Sequence, residues 1–522
     1  MPPDSGARTS WSGWSRRDRV AAVLGTLTVA VIGVTTVLPR PTIAGLLGLV
    51  VVAICLTALY RATFSGSFSP VAVMFWSFVA VWVGFAPLLQ IRDRRLPWPD
   101  LPLHQHYVTA QMILLFAVCA FWVGYRRREE AGPPGSRPTR STDRFPVTVE
   151  KATVVTAAAA VMAVACLPRT GGIAIRFTSR DDLRRVLEEA GLRGGQDLAM
   201  LGLLNTLPAA TSLVALLLCL LNWRDRNARS RRDRLILLVA TAVAVTLNVI
   251  YNNPLTANRF SSFSVMLAAA LALLRFDRQW WRTLFSGGML LGLAVVYPFA
   301  NLFRNDRARN NLRIGLDAYY TWDFDGFQQT VNAVYHVDTH GHTWGHHLVS
   351  AMLFWVPRSL WEGKAIPAGN VVAGSRGYEF QNLSLPFWTE VFLEFSLVGV
   401  VVLFFYYGRL ARRLDAWVGR SGANLATGLA VTFAACQIGL LRGPLGAQIP
   451  FAGAALVILL LGMFLGNGRV WRLTRAPASY TDTEPATRVP TVAGASWVPA
   501  DGDPGRRVEP ASGTPATGRA PQ

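Results

Sequence analysis

The sequence predicts an all-α, polytopic membrane protein with about twelve transmembrane helices and one long extracytoplasmic loop. Two observations predict it. The chain alternates between very apolar blocks of about 18 to 22 residues and Arg-rich connectors, and such blocks match a hydrocarbon core of ~30 Å at ~1.5 Å per helical residue. The connectors also alternate in charge from side to side. Its 522 residues are 52% hydrophobic and carry a formal charge of +20, with a mean hydropathy of +0.31.

Taken in order, the apolar blocks centre near residues 29, 51, 80, 116, 160, 210, 243, 267, 291, 397, 432 and 458. The helical reading follows because backbone groups in lipid must be satisfied within each segment. With the N-terminus inside, Arg16, Arg17 and Arg19, then Arg126 to Arg128, Arg224 to Arg234, Arg275 to Arg282 and Arg409 to Arg413 share one side. This is the positive-inside pattern, so the basic charge reads as topology and not as a nucleic-acid surface. Residues 1–19 read as a cytoplasmic tail, 20–467 as the membrane domain with an extracytoplasmic loop at 300–386, and 468–522 as a disordered cytoplasmic tail dense in Pro, Gly, Thr and Ala. The first block, Val20 to Leu38, has no small-residue cleavage site and reads as an uncleaved anchor. All five cysteines fall inside predicted spans, which argues against a disulfide framework. No Gly-rich phosphate loop occurs, so the chain drives no transport with ATP by itself.

The outside segments carry the chemistry-bearing residues. Ser179 with Asp182 reads as a helix cap ahead of Leu183, Val186, Leu187 and Ala190, an apolar face at helical spacing. Asn252-Asn253-Pro254 breaks a helix, and the Asn side chains can satisfy freed backbone groups. Two roles fit Arg259 at the rim of the next span: snorkelling to headgroups, or a bidentate clamp on a lipid-linked pyrophosphate. Arg304, followed by Asp306, Arg307 and Arg309, stands at a membrane edge and suits the same anion. Asp323-Phe324-Asp325-Gly326-Phe327 alternates acid and aromatic as in carbohydrate sites, and equally reads as a helix start.

Five of the seven histidines, His336, His340, His342, His346 and His347, crowd into one stretch. There is no His-Glu-x-x-His spacing and no cysteine partner, so we expect no metal; a base near neutral pH or a sugar hydrogen-bonder fits better, and loop histidines with no assigned chemistry fit best of all. Arg358 and Lys364 flank Trp361 after the apolar stretch Leu348 to Val356, which puts Arg358 at headgroup height. Glu390 and Glu394 lie one turn apart near the start of the tenth span, behind Pro386 and Trp388. Either carboxylate suits a general base acting on a sugar hydroxyl, or an ion-pair partner for Arg259 or Arg358.

Taken together, NNPLTANRF (252–260), DFDGF (323–327), VPRSLWEGK (356–364) and NLSLPFWTEVFLEFSLVGV (382–400) resemble O-antigen and exopolysaccharide polymerases of the Wzy type. The resemblance covers about 250 to 400 and the many-helix plan. Two departures stand out: the Lys364 block lacks the prolines usual there, and Glu394-Phe395-Ser396 replaces the common Asn-Phe-Gly. The resemblance implies a GT-C-like glycosyltransferase of the plasma membrane that uses neither cofactor nor metal. It would join undecaprenyl-pyrophosphate-linked oligosaccharides at the extracytoplasmic face, with flippase and chain-length regulator proteins as partners beside membrane lipids. Arg259, Arg304, Arg358, Glu390 and His346 would be catalytic, and Asn253, Asp323, Trp361, Lys364, Trp388 and Glu394 would bind substrate. An O-antigen ligase shares the donor and differs in acceptor. A flippase would need ionisable residues lining several spans, and the spans before the tenth have almost none.

Overall fold

The computed structural model describes residues 16–64, 68–99, 103–126, 145–178, 198–227, 230–274, 276–299, 315–418 and 422–465, together with Asp182, Leu183, Arg185, Val186 and Glu189. Arg304 and its neighbours, Ser179, residues 1–15 and the tail from 466 onward lie outside the described residues. Among those described no β-strand forms; one isolated bridge pairs Pro146 with Asn424.

Among the described residues ten helices are long and apolar enough to cross a membrane, and two shorter apolar helices, Val23–Val37 and Arg259–Leu273, coincide with the remaining expected spans. The chain is a multi-pass membrane protein. In order the helices are α1 (Arg16–Ile32), α2 (Ile43–Phe64), α3 (Pro70–Asp93), α4 (Tyr107–Arg126), α5 (Val149–Cys166), α6 (Leu198–Arg224), α7 (Arg231–Tyr251), α8 (Arg259–Leu273) and α9 (Gln279–Phe299). The loop region adds α10 (Gly326–His340), α11 (His346–Met352) and α12 (Ala368–Ser375), and the bundle closes with α13 (Phe387–Val418), α14 (Leu425–Arg442) and α15 (Leu445–Leu465).

Side-chain caps set several starts. Ser230 and Asp233 form a capping box on α7, Thr148 accepts from Lys151 N at α5, and Asn258 accepts from Phe260 N at α8. The centre of the bundle is α3, buried almost throughout, with Phe75, Phe78 and Trp82 fully enclosed. Helices α4 and α13 approach most closely at two glycines. A Cβ on Gly124 would stand 2.0 Å from the Phe405 carbonyl oxygen, and one on Gly408 would stand 2.2 Å from that of Phe121. Small residues permit such backbone contact, which drives helix association in lipid. Outward-facing Val161, Val164, Leu235 and Leu461 are exposed apolar side chains that lipid would cover.

The stretch expected as a polar loop is built into the bundle. Residues 326–334 of α10 are all buried, and Phe327 packs against Tyr107. Phe324 lies against Trp82 and Tyr319. Neither ring is free to stack on a sugar; both serve the core. Asp325 stands at the start of α10 without capping it, because its carboxylate accepts from Trp98 Nε1 (2.9 Å), Gln329 Nε2 and the Ser384 hydroxyl.

Helix α13 is broken inside the bundle. Phe395 (φ −134°, ψ 19°) and Ser396 (φ 61°, ψ −169°) leave the helical region. The carbonyls of Leu393 and Glu394 accept instead from the backbone N–H groups of Thr343 and Trp344, both at 3.1 Å. Irregular backbone at membrane depth requires such replacement partners.

Candidate functional site

The turn Arg442 to Leu445, between α14 and α15, organises the site. The Arg442 guanidinium donates from Nη2 to Trp322 O (3.2 Å) and from Nε to Asp323 O (3.3 Å), and lies over the Phe260 ring. Its Nη2 stands 3.8 Å from Asp323 Oδ1. Arg259, the first residue of α8, donates to that oxygen at 2.6 Å, with its guanidinium carbon 4.7 Å from the Tyr297 ring centre. One buried carboxylate is therefore flanked by two guanidiniums from two helix ends, in a setting that excludes much of the solvent.

Two buried carboxylates lie beside that turn. Glu390 and Glu394 are each 1% exposed. Glu390 Oε2 accepts from Leu445 N at 2.7 Å, capping the N-terminus of α15, while its Oε1 has no partner among the described residues. One turn deeper, Glu394 Oε1 accepts from His347 N (3.1 Å) and pairs with His347 Nδ1 at 2.9 Å; its Oε2 is likewise unpartnered. A buried oxygen left unpaired costs about 1–3 kcal/mol, more when charged, and marks a place where a ligand hydroxyl would be welcome. With Glu394 ionised, Nδ1 carries the hydrogen and Nε2 is the basic nitrogen of His347. The expected pairing of either glutamate with Arg259 or Arg358 does not occur: Arg259 pairs with Asp323, and Arg358 binds backbone.

The Arg358 segment forms a third cluster, joined to this one through His346. Arg358 donates to Lys364 O (2.6 Å) and Ala365 O (3.1 Å), which leaves three of the five N–H donors of a guanidinium. All three protons of the Lys364 ammonium have carbonyl partners, on Leu353 (3.0 Å), Phe354 (3.0 Å) and Val356 (2.7 Å). Burial and the nearby Arg358 hold its pKa below the usual lysine value. His346 Nε2 donates to Gly363 O at 2.8 Å, so its Nδ1 remains the basic atom, and Trp361 packs at 6.3 Å between ring centres. His346 and His347 rings lie 5.8 Å apart.

Other residues expected to touch substrate have internal partners. Asn253 donates to Arg176 O (2.9 Å) and Ile250 O, and its Oδ1 accepts from Leu255 N and Thr256 N, closing the turn after α7. Trp388 is buried, donates to Thr330 Oγ1 (3.3 Å) and packs near Phe78. Lys364, by its carbonyl contacts, braces its loop.

Arg442 has no local pattern to single it out, because it is one arginine in a short turn between two apolar runs. His347 was one of five histidines with nothing local to single it out. His336, buried and stacked on His340, is held below the ordinary histidine value by burial and by His340 and His347. Burial likewise holds the Asp325 carboxyl above the carboxylate range, against Arg442 and its hydrogen bonds. Among the described residues no group of three or more His, Cys, Asp or Glu side chains could hold a metal ion. A recess lined by Glu150, Asp225, Asp233 and Asn424 opens at the opposite end of α14 and shares no residue with this cluster. No family model matches the chain, and no curated protein or solved structure matches it either.

Proposed function

We propose that the chain is a membrane glycosyltransferase that polymerises polyprenyl-pyrophosphate-linked oligosaccharide repeat units into a surface polysaccharide. The observation that carries this reading is the juxtaposition at one end of the bundle of Arg259 and Arg442 about Asp323 with Glu390 and the Glu394–His347 pair. Acid–base groups and guanidiniums at a helix-end level fit a reaction between a lipid-borne pyrophosphate and a sugar hydroxyl. The charge asymmetry of the connectors supports placing that end at the extracytoplasmic face.

In this mechanism an acceptor hydroxyl loses its proton to His347 Nε2, while Glu394 holds the Nδ1–H and stabilises the imidazolium. The hydroxyl oxygen bonds to the anomeric carbon as the bond from that carbon to the phosphate oxygen breaks. Polyprenyl pyrophosphate leaves, its growing charge met by Arg259, Arg442 and the remaining donors of Arg358. The imidazolium then returns its proton to solvent. Glu390 presents an oxygen for an acceptor hydroxyl.

Deletion of the gene with analysis of surface glycan tests the reading. Loss of long chains, with single repeat units accumulating on lipid, is the expected result. Unattached long chains would indicate a ligase, and units trapped inside the cell a flippase; either would refute polymerisation. At residue level, Arg358→Ala should stop chain growth with the protein retained in the membrane, and normal glycan length would remove Arg358 from the mechanism.

A further inference from the structure

The segment from Trp344 to Pro367 runs alongside α13 and α15 below their common start. Helices α14 and α15 have 18 and 21 residues. Both are thus about 27–32 Å long, close to the hydrocarbon thickness, which sets their shared turn at one membrane boundary. Pro367 lies against Gly446, next to that turn. Phe354 lies against Gly453, whose Cβ would stand 3.3 Å from the Phe354 ring. Gly453 is eight residues beyond Leu445, about 12 Å down the helix axis. At the other end of the segment His347 meets Glu394, one turn below the level that Glu390 and Leu445 share. The chain therefore descends about 6 Å from the level of His347 and climbs about 12 Å to Pro367, within some twenty residues.

Two further properties accompany this path. The outward side is apolar: Val349, Met352, Trp355 (60% exposed) and Leu360 (81%) all project from it, as does Trp344 above them. Val457, one turn below Gly453 on α15, continues the same exposed apolar surface. The irregular backbone is also closed on itself. Lys364 takes the carbonyls of Leu353, Phe354 and Val356, Arg358 takes those of Lys364 and Ala365, His346 takes that of Gly363, and Ser350 Oγ accepts from Ala365 N. Non-helical backbone is tolerated at membrane depth only with such partners. Arg358 reaches toward the ascending limb, the direction of the headgroups, as long basic side chains do at interfaces, while Lys364 reaches back from that limb to the carbonyls of the tip. In a loop facing water, three carbonyls gathered on one lysine would gain little over hydration, and five large apolar side chains would stand in solvent.

We infer that residues 344–360 form a re-entrant element embedded in the leaflet at the Arg442–Leu445 end of the bundle, its apolar side covered by lipid acyl chains. Its consequence is that the Glu394–His347 pair is walled from the bilayer by an insert and not by a transmembrane helix. The inference needs only a membrane, so it stands or falls apart from the proposed reaction.

The test uses the unmodified full chain in nanodiscs containing a phosphatidylcholine with a mid-chain diazirine. Illumination and peptide mapping should place adducts on residues 349–360 as well as on the exposed residues of α15. Adducts on α15 with none on 349–360 would overturn the inference. A nitroxide at Leu360→Cys supplies an independent measure. Its collisions with a water-soluble nickel chelate should fall to the level at Leu461→Cys; collisions as frequent as at Asp277→Cys would place the segment in water.

Discussion

The break in α13 offers a direct perturbation. Ser396 sits at φ 61°, ψ −169°, a region populated almost only by glycine, where a Cβ costs on the order of 1–3 kcal/mol. Glycine loses more unfolded-chain freedom than alanine by about 0.5–1 kcal/mol. Ser396→Gly should therefore stabilise the fold by a net of about 0.5–2 kcal/mol. Ser396→Ala keeps the Cβ and should change stability little, so the difference between the two variants isolates the backbone term. The assay is the midpoint of denaturant-induced unfolding in mixed micelles, with chain growth measured in parallel to show that the site is intact. In a chain this long, 1 kcal/mol corresponds to roughly 2 °C or less in Tm, so chemical midpoints resolve it better than heating. Equal midpoints for Gly and Ala, or a lower one for Gly, would refute the strain argument.

Three other outcomes are expected. Glu394→Gln keeps an acceptor for His347 N but removes the charge that fixes the imidazole, and chain growth should fall about 10²–10⁴-fold. His347→Asn should fall as far, and the double variant no further than either; additive losses would mean the two do not act as a unit. Lys364→Ala strands three carbonyls and should destabilise by about 1–3 kcal/mol, read as faster cleavage between 353 and 365 by a soluble protease in micelles. Unchanged cleavage would remove its bracing role. The last concerns pH: His336 has a folded pKa below its unfolded value near 6.5, so the folded state binds fewer protons and its stability drops as pH falls through about 6.5. Unfolding midpoints at pH 7.5 and 5.5 should therefore differ more for the native chain than for His336→Gln; an equal difference would show that burial at His336 contributes nothing.

Much of the membrane plan was legible because it rests on composition. Each span had to satisfy its own backbone in lipid, and so announced itself as an unbroken apolar run, down to the short α8 behind Asn258 and Arg259. The candidate site was half legible. Arg259 and Glu394 stood out as charges next to apolar runs, which local hydropathy detects. Their partners did not. Asp323 lies 64 residues from Arg259, and His347 lies 47 from Glu394. Nothing in either local pattern states which of several acids or histidines will arrive.

The residue sequence alone therefore determined that the chain is helical, crosses the bilayer many times and bears ionisable groups between its late spans, since hydropathy and charge act over one helix length. Only the tertiary structure decided that α10 is core and not loop, that Arg442 joins Arg259 on Asp323, and that Lys364 and Asn253 hold backbone. Those outcomes depend on which helix ends meet, and packing between distant segments settles that, not the preferences of any one of them.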